Sequence, residues 1–243
     1  MVAAPRSREV FMASITIQAT DGSGSFEAFV ATPKQTPAGA VVLIQEIFGV
    51  NDSLKQTARW VADLGFIALV PDLFWRLAPG INLTDKTSEE FDRAIGYMQK
   101  FDRDKGIEDL KATLAEARAY PGGNGRAGTM GYCLGGLLAV LMATRSDSDV
   151  NISYYGVGLD GLIGEFGRVR SPLLLHIADK DAFFPPEGRA KVIAAAAEHA
   201  HISTYVYPNA DHAFARVNGV HWQGLAATIA NGRSAEALAA ALQ

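Results

Sequence analysis

Residues 14–20 (SITIQAT) and 26–32 (FEAFVAT) alternate apolar and polar positions on either side of Asp21-Gly22-Ser23-Gly24. Period-two alternation around a Gly-containing turn predicts an antiparallel hairpin with one wet face, placed at a sheet edge. The later runs differ in kind. AVVLI (40–44), FIALV (66–70), AGTMG (127–131), ISYY (152–155), PLLLHI (172–177) and STYVY (203–207) are continuous apolar or β-branched stretches, the pattern of parallel strands covered on both faces. Stretches of helical length separate them, at 52–64, 88–100, 104–119, 134–144, 187–199 and 222–240. In 104–119, Ile107, Leu110, Leu114 and Ala117 recur at three- and four-residue intervals, while Glu108, Asp109, Lys111 and Glu116 face away, which makes one apolar stripe on a helix. Strands alternating with helices predict an α/β fold: a mostly parallel, doubly wound sheet with an antiparallel N-terminal hairpin. Joints such as Pro121-Gly122-Gly123-Asn124-Gly125 read as turns, and no biased linker divides the chain, so residues 1–243 are read as a single domain.

Composition narrows the function classes. With 49% hydrophobic and 20% charged residues the chain is neither disordered nor collagen-like. A formal net charge of −4 provides no broad electropositive face, so no nucleic-acid partner is expected. The single cysteine cannot close an internal disulfide. The N-terminal stretch MVAAPRSREVFMASITIQAT lacks the continuous apolar run of a signal peptide, and nowhere do about 18 apolar residues follow one another as a membrane span requires. The expected setting is cytoplasmic, with no membrane partner. The five histidines show no HExxH or paired Cys/His spacing, so neither a metal nor a cofactor is expected.

The chemistry concentrates at Gly131-Tyr132-Cys133-Leu134-Gly135-Gly136, between a strand and an apolar helix pattern. G-x-C-x-G is the spacing of a nucleophile elbow with sulfur in place of the usual oxygen. A strand reversing sharply into a helix strains the nucleophile's backbone, and side chains two positions away on either side would collide. The helix start also favours a thiolate through its dipole and free amides. Such an elbow is followed along the chain by an acid and then a histidine. Asp179 and Asp181 both follow the strand PLLLHI and both satisfy that order; His212 follows STYVY. Of the others, His199 and His201 close a helix, His176 lies within a strand and His221 starts the last helix. Gln45 and Glu46 end the first core strand, where a carboxylate beside apolar residues is costly unless paired.

QEIFGVN (45–51), PDLFWRLAPG (71–80), GYCLGG (131–136), YYGVGL (154–159), DKDAFFP (179–185) and DHAFAR (211–216) together resemble the dienelactone hydrolases, a family of the α/β-hydrolase fold. The resemblance implies Cys133 as nucleophile, His212 as base and Asp181 as the acid that orients it. It gives Glu46 the role of holding the resting thiol and accepting its proton when substrate displaces it. The amides of Leu134 and Ile47 would form the oxyanion hole, and Arg216 would grip a substrate carboxylate. Phe48, Tyr155, Phe183 and Phe91 are the further candidate substrate contacts. Dienelactone-cleaving relatives carry a second arginine and aromatics on the helix after the APG stretch; here those positions hold Phe91, Ile95 and Met98, and Arg93 lies roughly 200° around the helix. The expected activity is cleavage of a small lactone or ester through a thioester, with dienelactone as the first substrate and a broader carboxylesterase or thioesterase as the alternative. A noncatalytic redox-sensing or ligand-binding module is the rival from another class. Gly156-Val157-Gly158-Leu159-Asp160-Gly161 formally fits a dinucleotide fingerprint, but it lies past the middle of the chain rather than in a first βαβ unit. The family resemblance favours a monomer.

Overall fold

The computed structural model describes residues 11–243; residues 1–10, the first half of the N-terminal stretch read above, lie outside the described part. Strands β1 (Phe11–Gln18) and β2 (Ser25–Thr32) form the expected hairpin, in register from Phe11 opposite Thr32 to Gln18 opposite Ser25. The Asp21 carboxylate accepts from the amide and hydroxyl of Ser23 and fixes the turn. β2 then pairs antiparallel with β4 (Ile67–Pro71). From β4 onward, β3 (Ala38–Ile44), β5 (Gly123–Tyr132), β6 (Asn151–Tyr154), β7 (Leu173–Ala178) and β8 (Ile202–Tyr207) run parallel. The spatial order is β1-β2-β4-β3-β5-β6-β7-β8, so the hairpin forms one edge.

Six α-helices connect the sheet: α1 (Asp52–Asp63), α2 (Ser88–Lys100), α3 (Arg103–Ala119), α4 (Leu134–Arg145), α5 (Pro186–Ala197) and α6 (Gly224–Leu242). Side-chain caps set several starts, with Asn51 accepting from the amide of Leu54, Thr87 from Glu90, and Asp102 from Asp104 and Lys105. α4 is apolar all round and buried from Leu134 to Thr144, packed on β5 and β6, as a helix with no polar face must be. The chain leaves β3 toward β4 on one side and later returns to β5 on the other. The crevice beyond the carboxyl ends of β3 and β5 is therefore the topological switch point, where open α/β sheets bind ligands.

Three local expectations change. Asp109, placed on the outward side of α3, is buried instead, its carboxylate accepting from Trp75 Nε1 and Arg76 Nη2 at 2.8 Å each, because the loop after β4 brings those donors against the helix. Gly123–Gly125 is strand rather than turn, because β5 begins at Gly123 opposite Ala38 and reaches its regular register only after an irregularity between Ala38 and Ala40. Leu159–Arg168 forms a 3₁₀ helix that buries Leu159 and Phe166; its three glycines (Gly161, Gly164, Gly167) gave no helical periodicity to read. Among the described residues no helix is long and apolar enough to cross a membrane.

Candidate active site

Cys133 sits between the end of β5 and the first residue of α4, at φ 56° and ψ −115°. This backbone region is strained for a non-glycine residue. Its amide donates to the carbonyl of Tyr154 at 3.0 Å, which holds the bend against β6. The flanking glycines are sterically required. A Cβ on Gly131 would lie 2.0 Å from the carbonyl oxygen of Gly135, and one on Gly135 would lie 2.3 Å from that of Ile44. Among the described residues no backbone carbonyl engages the amide of Leu134 or of Ile47, and Ile47 lines the same cavity as Cys133.

β7 and β8 are parallel neighbours, so the loops at their carboxyl ends emerge side by side. Backbone hydrogen bonds stitch them together, Asp179 to Tyr207 at 3.2 Å and Lys180 to Ala210 at 2.7 Å. Arg189, on the first turn of α5, donates to the carbonyls of Asp179, Asp181 and Phe184. That scaffold separates the two aspartates. Asp179 points out beside Lys180 and is 41% exposed, whereas Asp181 is buried with its Oδ2 2.8 Å from Nδ1 of His212. Its Oδ1 accepts from the amide of Phe183, so both oxygens are held.

His212 meets Cys133 on its other side. Burial alone would push the imidazole pKa down, but the charge and hydrogen bond of Cys133, together with Asp181, outweigh it and hold His212 up at about 10. Phe183 and Tyr155 pack edge-on against the ring, with centroids 4.9 and 5.1 Å away. The Tyr155 hydroxyl is buried without a hydrogen-bond partner among the described residues.

A second buried cluster lies alongside. Arg216 donates to Glu46 through Nε at 2.5 Å and Nη2 at 2.9 Å, and to Asp85 through Nη1 at 2.6 Å. Its guanidinium carbon stands 4.7 Å from the ring centre of Phe48. Burial would lower the Arg216 pKa, but Glu46 more than offsets it and the guanidinium stays charged. Burial would likewise raise Asp85, yet the Val220 amide and Arg216 hold its carboxyl below the usual range. Gln45 braces the turn that carries Glu46, accepting from the Leu73 amide at 3.0 Å and donating to the Glu46 carbonyl. Cys133 and His212 open into a cavity of about 210 Å³ that is also lined by Ile47, Phe48, Phe91, Ile95, Met98, Val157, Phe183 and Arg216.

This arrangement can be set beside known proteins. The model of the dienelactone hydrolase family matches residues 26–242. The chain belongs to the dienelactone hydrolase family. Membership makes it a hydrolase of ester or lactone bonds, and its sheet is that of the α/β-hydrolases. It is 48% identical over 228 residues to a protein of Azospirillum brasilense whose carboxymethylenebutenolidase name is provisional, covering 92% of this chain and 96% of that one. A carboxymethylenebutenolidase of Pseudomonas putida is 37% identical over 225 residues, covering 93% and 95%. The fold is also that of a crystal structure from Klebsiella pneumoniae, provisionally called a dienelactone hydrolase, with a TM-score of 0.80 at 24% identity over 94% of this chain and 99% of the other.

Several family-implied roles meet a different geometry. Glu46 does not hold the thiol: both its oxygens are on Arg216, and the thiol faces His212. Arg216 lines the cavity with its donors already bonded to Glu46 and Asp85. Phe91, Ile95 and Met98 do line the cavity, with no cation at those positions. The glycine-rich stretch 156–161 leads into the 3₁₀ helix, and a Cβ on Gly156 would lie 3.0 Å from the backbone of Gly136, so close packing against α4 accounts for the glycine. Asp85 and Arg189 were not singled out by the sequence. An isolated acid in a polar loop and a basic residue near a helix start carry no local signature. Gln45 had one, a polar side chain ending an apolar strand. Among the described residues no group of three His, Cys, Asp or Glu is placed to hold a metal ion.

Proposed function

We propose that this family member cleaves a small carboxylic ester or lactone through a thioester on Cys133, with His212 as acid and base and Asp181 as its orienting partner. One observation carries the reading: a thiol on a strained elbow faces an imidazole whose far nitrogen is held at 2.8 Å by a buried carboxylate. The Cys133 sulfur attacks the carbonyl carbon, and the displaced electron pair moves to the carbonyl oxygen, received by the amides of Ile47 and Leu134. Collapse breaks the ester C–O bond, and the imidazolium of His212 gives its proton to the departing oxygen. Water then loses a proton to His212 as its oxygen attacks the thioester, and the acid leaves as the thiolate returns. A redox-sensing cysteine would need neither Asp181 behind the histidine nor an apolar cavity in front of it.

The names of the relatives point to carboxymethylenebutenolide, a lactone bearing a carboxylate, as one substrate of this chemistry. A broader carboxylesterase activity is the second reading, favoured by the apolar walls around Phe91, Ile95 and Met98. The test is to mix the enzyme with a panel of lactones and aryl esters, quench, and read the mass of the peptide containing Cys133. An acyl adduct on that peptide that forms and decays at the turnover rate is expected, and Cys133→Ala should lower kcat/KM by roughly 10³-fold or more. Undiminished turnover in that variant would overturn the proposal.

A further inference from the structure

α2 is fastened to the molecule differently from the other helices. Of its 13 residues only Ala94 is fully buried, while Phe91, Ile95, Tyr97 and Met98 are half-buried and pack on the core. Its side-chain polar contacts are local: Glu90 accepts from the hydroxyls of Thr84 and Thr87, on the approach to the same helix. Among the described residues no hydrogen bond or ion pair runs from a side chain of α2 to another element. Ser53, Asp109, Arg145, Arg189 and Ser234 supply such a tie for each of the other α-helices. Apolar contact is non-directional, so α2 can shift on the core without breaking a hydrogen bond to it.

Gly96 divides this helix. In a helix interior glycine is less stable than alanine, because it leaves the backbone freer. No close approach accounts for it here, since a Cβ on Gly96 would meet no neighbouring atom within 4 Å. On its C-terminal side Tyr97 stacks on Phe74 with ring centroids 5.7 Å apart, and Phe101 meets the same ring edge-on at 5.6 Å. On its N-terminal side Phe91 and Ile95 line the cavity at Cys133. The half after Gly96 is thus anchored, and the half before it is a wall of the catalytic cavity. Met98 adds a flexible thioether to the same wall.

We propose that Gly96 is a specificity-determining residue: it lets the cavity-facing half of α2 give way, so that the apolar wall adapts to the length of the acyl group. The inference rests on the acyl-transfer reading above and deepens it, by adding esters with an extended apolar acyl chain to the substrate class. It concerns the α2 wall and leaves the Arg216 side of the cavity as described. Gly96 is not among the residues lining the cavity, so it acts by positioning Phe91 and Ile95.

The probes are para-nitrophenyl acetate and para-nitrophenyl hexanoate, which share a leaving group and differ only in the length of the acyl chain. The wild-type enzyme is expected to cleave the hexanoate with a kcat/KM at least equal to that for the acetate. Gly96→Ala should lower the hexanoate value by about fivefold or more, through a higher KM, and leave the acetate value within about twofold. Because the added methyl enters open space and stiffens the helix, the same variant should melt about 2–4 °C higher. A merely structural role would raise the melting temperature and leave the hexanoate-to-acetate ratio unmoved, and that result overturns the proposal. A lower melting temperature overturns it too, since the glycine would then be filling a packing need. A wild-type preference for the acetate overturns it as well, and this measurement needs no variant to fold. Cys133→Ala run in parallel separates the two claims, since full turnover there sinks the thioester mechanism whatever the substrate ratio.

Discussion

At Cys133 the sequence motif and the backbone strain have one cause. A thiol can stand clear of the sheet only if the chain turns there through a conformation that side chains resist, and Gly131 and Gly135 remove the side chains that would block it. The thiol in turn governs its partner. Because Cys133 makes the largest upward contribution to the His212 pKa, Cys133→Ala should drop the imidazole titration well below about 10, read by NMR of the ring nitrogens. In the wild type, loss of the imidazolium removes the proton donor for the leaving group, so kcat/KM for an alkyl ester should fall tenfold per pH unit above about 10. A flat profile through that range would refute the acid role. At this scale Cys133 and His212 were legible from residue type and chain order. The choice between Asp179 and Asp181 was not, because both lie on one loop two residues apart and only its stitching by Arg189 and the Phe183 amide turns one inward.

Between elements, the polar network behind the site has consequences for stability. His176 on β7 is fully buried, with Nδ1 2.8 Å from the Tyr207 hydroxyl on β8 and Nε2 3.0 Å from the Ser234 hydroxyl on α6. Tyr154 on β6 closes the network, 2.7 Å from Ser234 and 2.9 Å from Asn231. Burial pushes the His176 pKa down to about 3. The unfolded chain therefore takes up a proton below about 6.5 that the folded chain refuses. Its effect on stability is absent above that pH and grows as pH falls toward about 3, by up to about 1.4 kcal/mol per pH unit. Urea denaturation at several values between pH 7 and pH 5 should show a steeper loss in the wild type than in His176→Gln. Equal slopes would refute the assignment. Element types followed from periodicity, as in the strands 40–44 and 172–177. The strand start at Gly123 and the 3₁₀ helix at Leu159–Arg168 did not, since glycine-rich segments take whatever shape their neighbours impose.

For the molecule as a whole, the sheet order predicts where it opens first. β1 pairs with β2 alone and is largely exposed, whereas β3 and β5 are paired on both sides and carry the buried core. Hydrogen exchange should release the β1 amides by local opening, and those of β3 and the buried half of β5 only at the free energy of global unfolding. Equal protection across the sheet would count against this hierarchy. The chain's own alternation of apolar and polar residues determined the hairpin, the parallel strands and the helices between them, because burial rewards each local pattern independently of its partners. The elbow was determined as well, because its glycines answer to a backbone geometry only a few residues long. Spacing left both aspartates open and the family resemblance named Asp181; tertiary structure alone decided that Glu46 binds Arg216 rather than the thiol, and that Asp85 completes that pair from a loop 131 residues away. The physical reason is that a charge becomes a ligand, a lock or a solvated bystander according to what stands within a few ångströms of it. Distances between loops far apart in sequence exist only once the sheet has set its strands side by side.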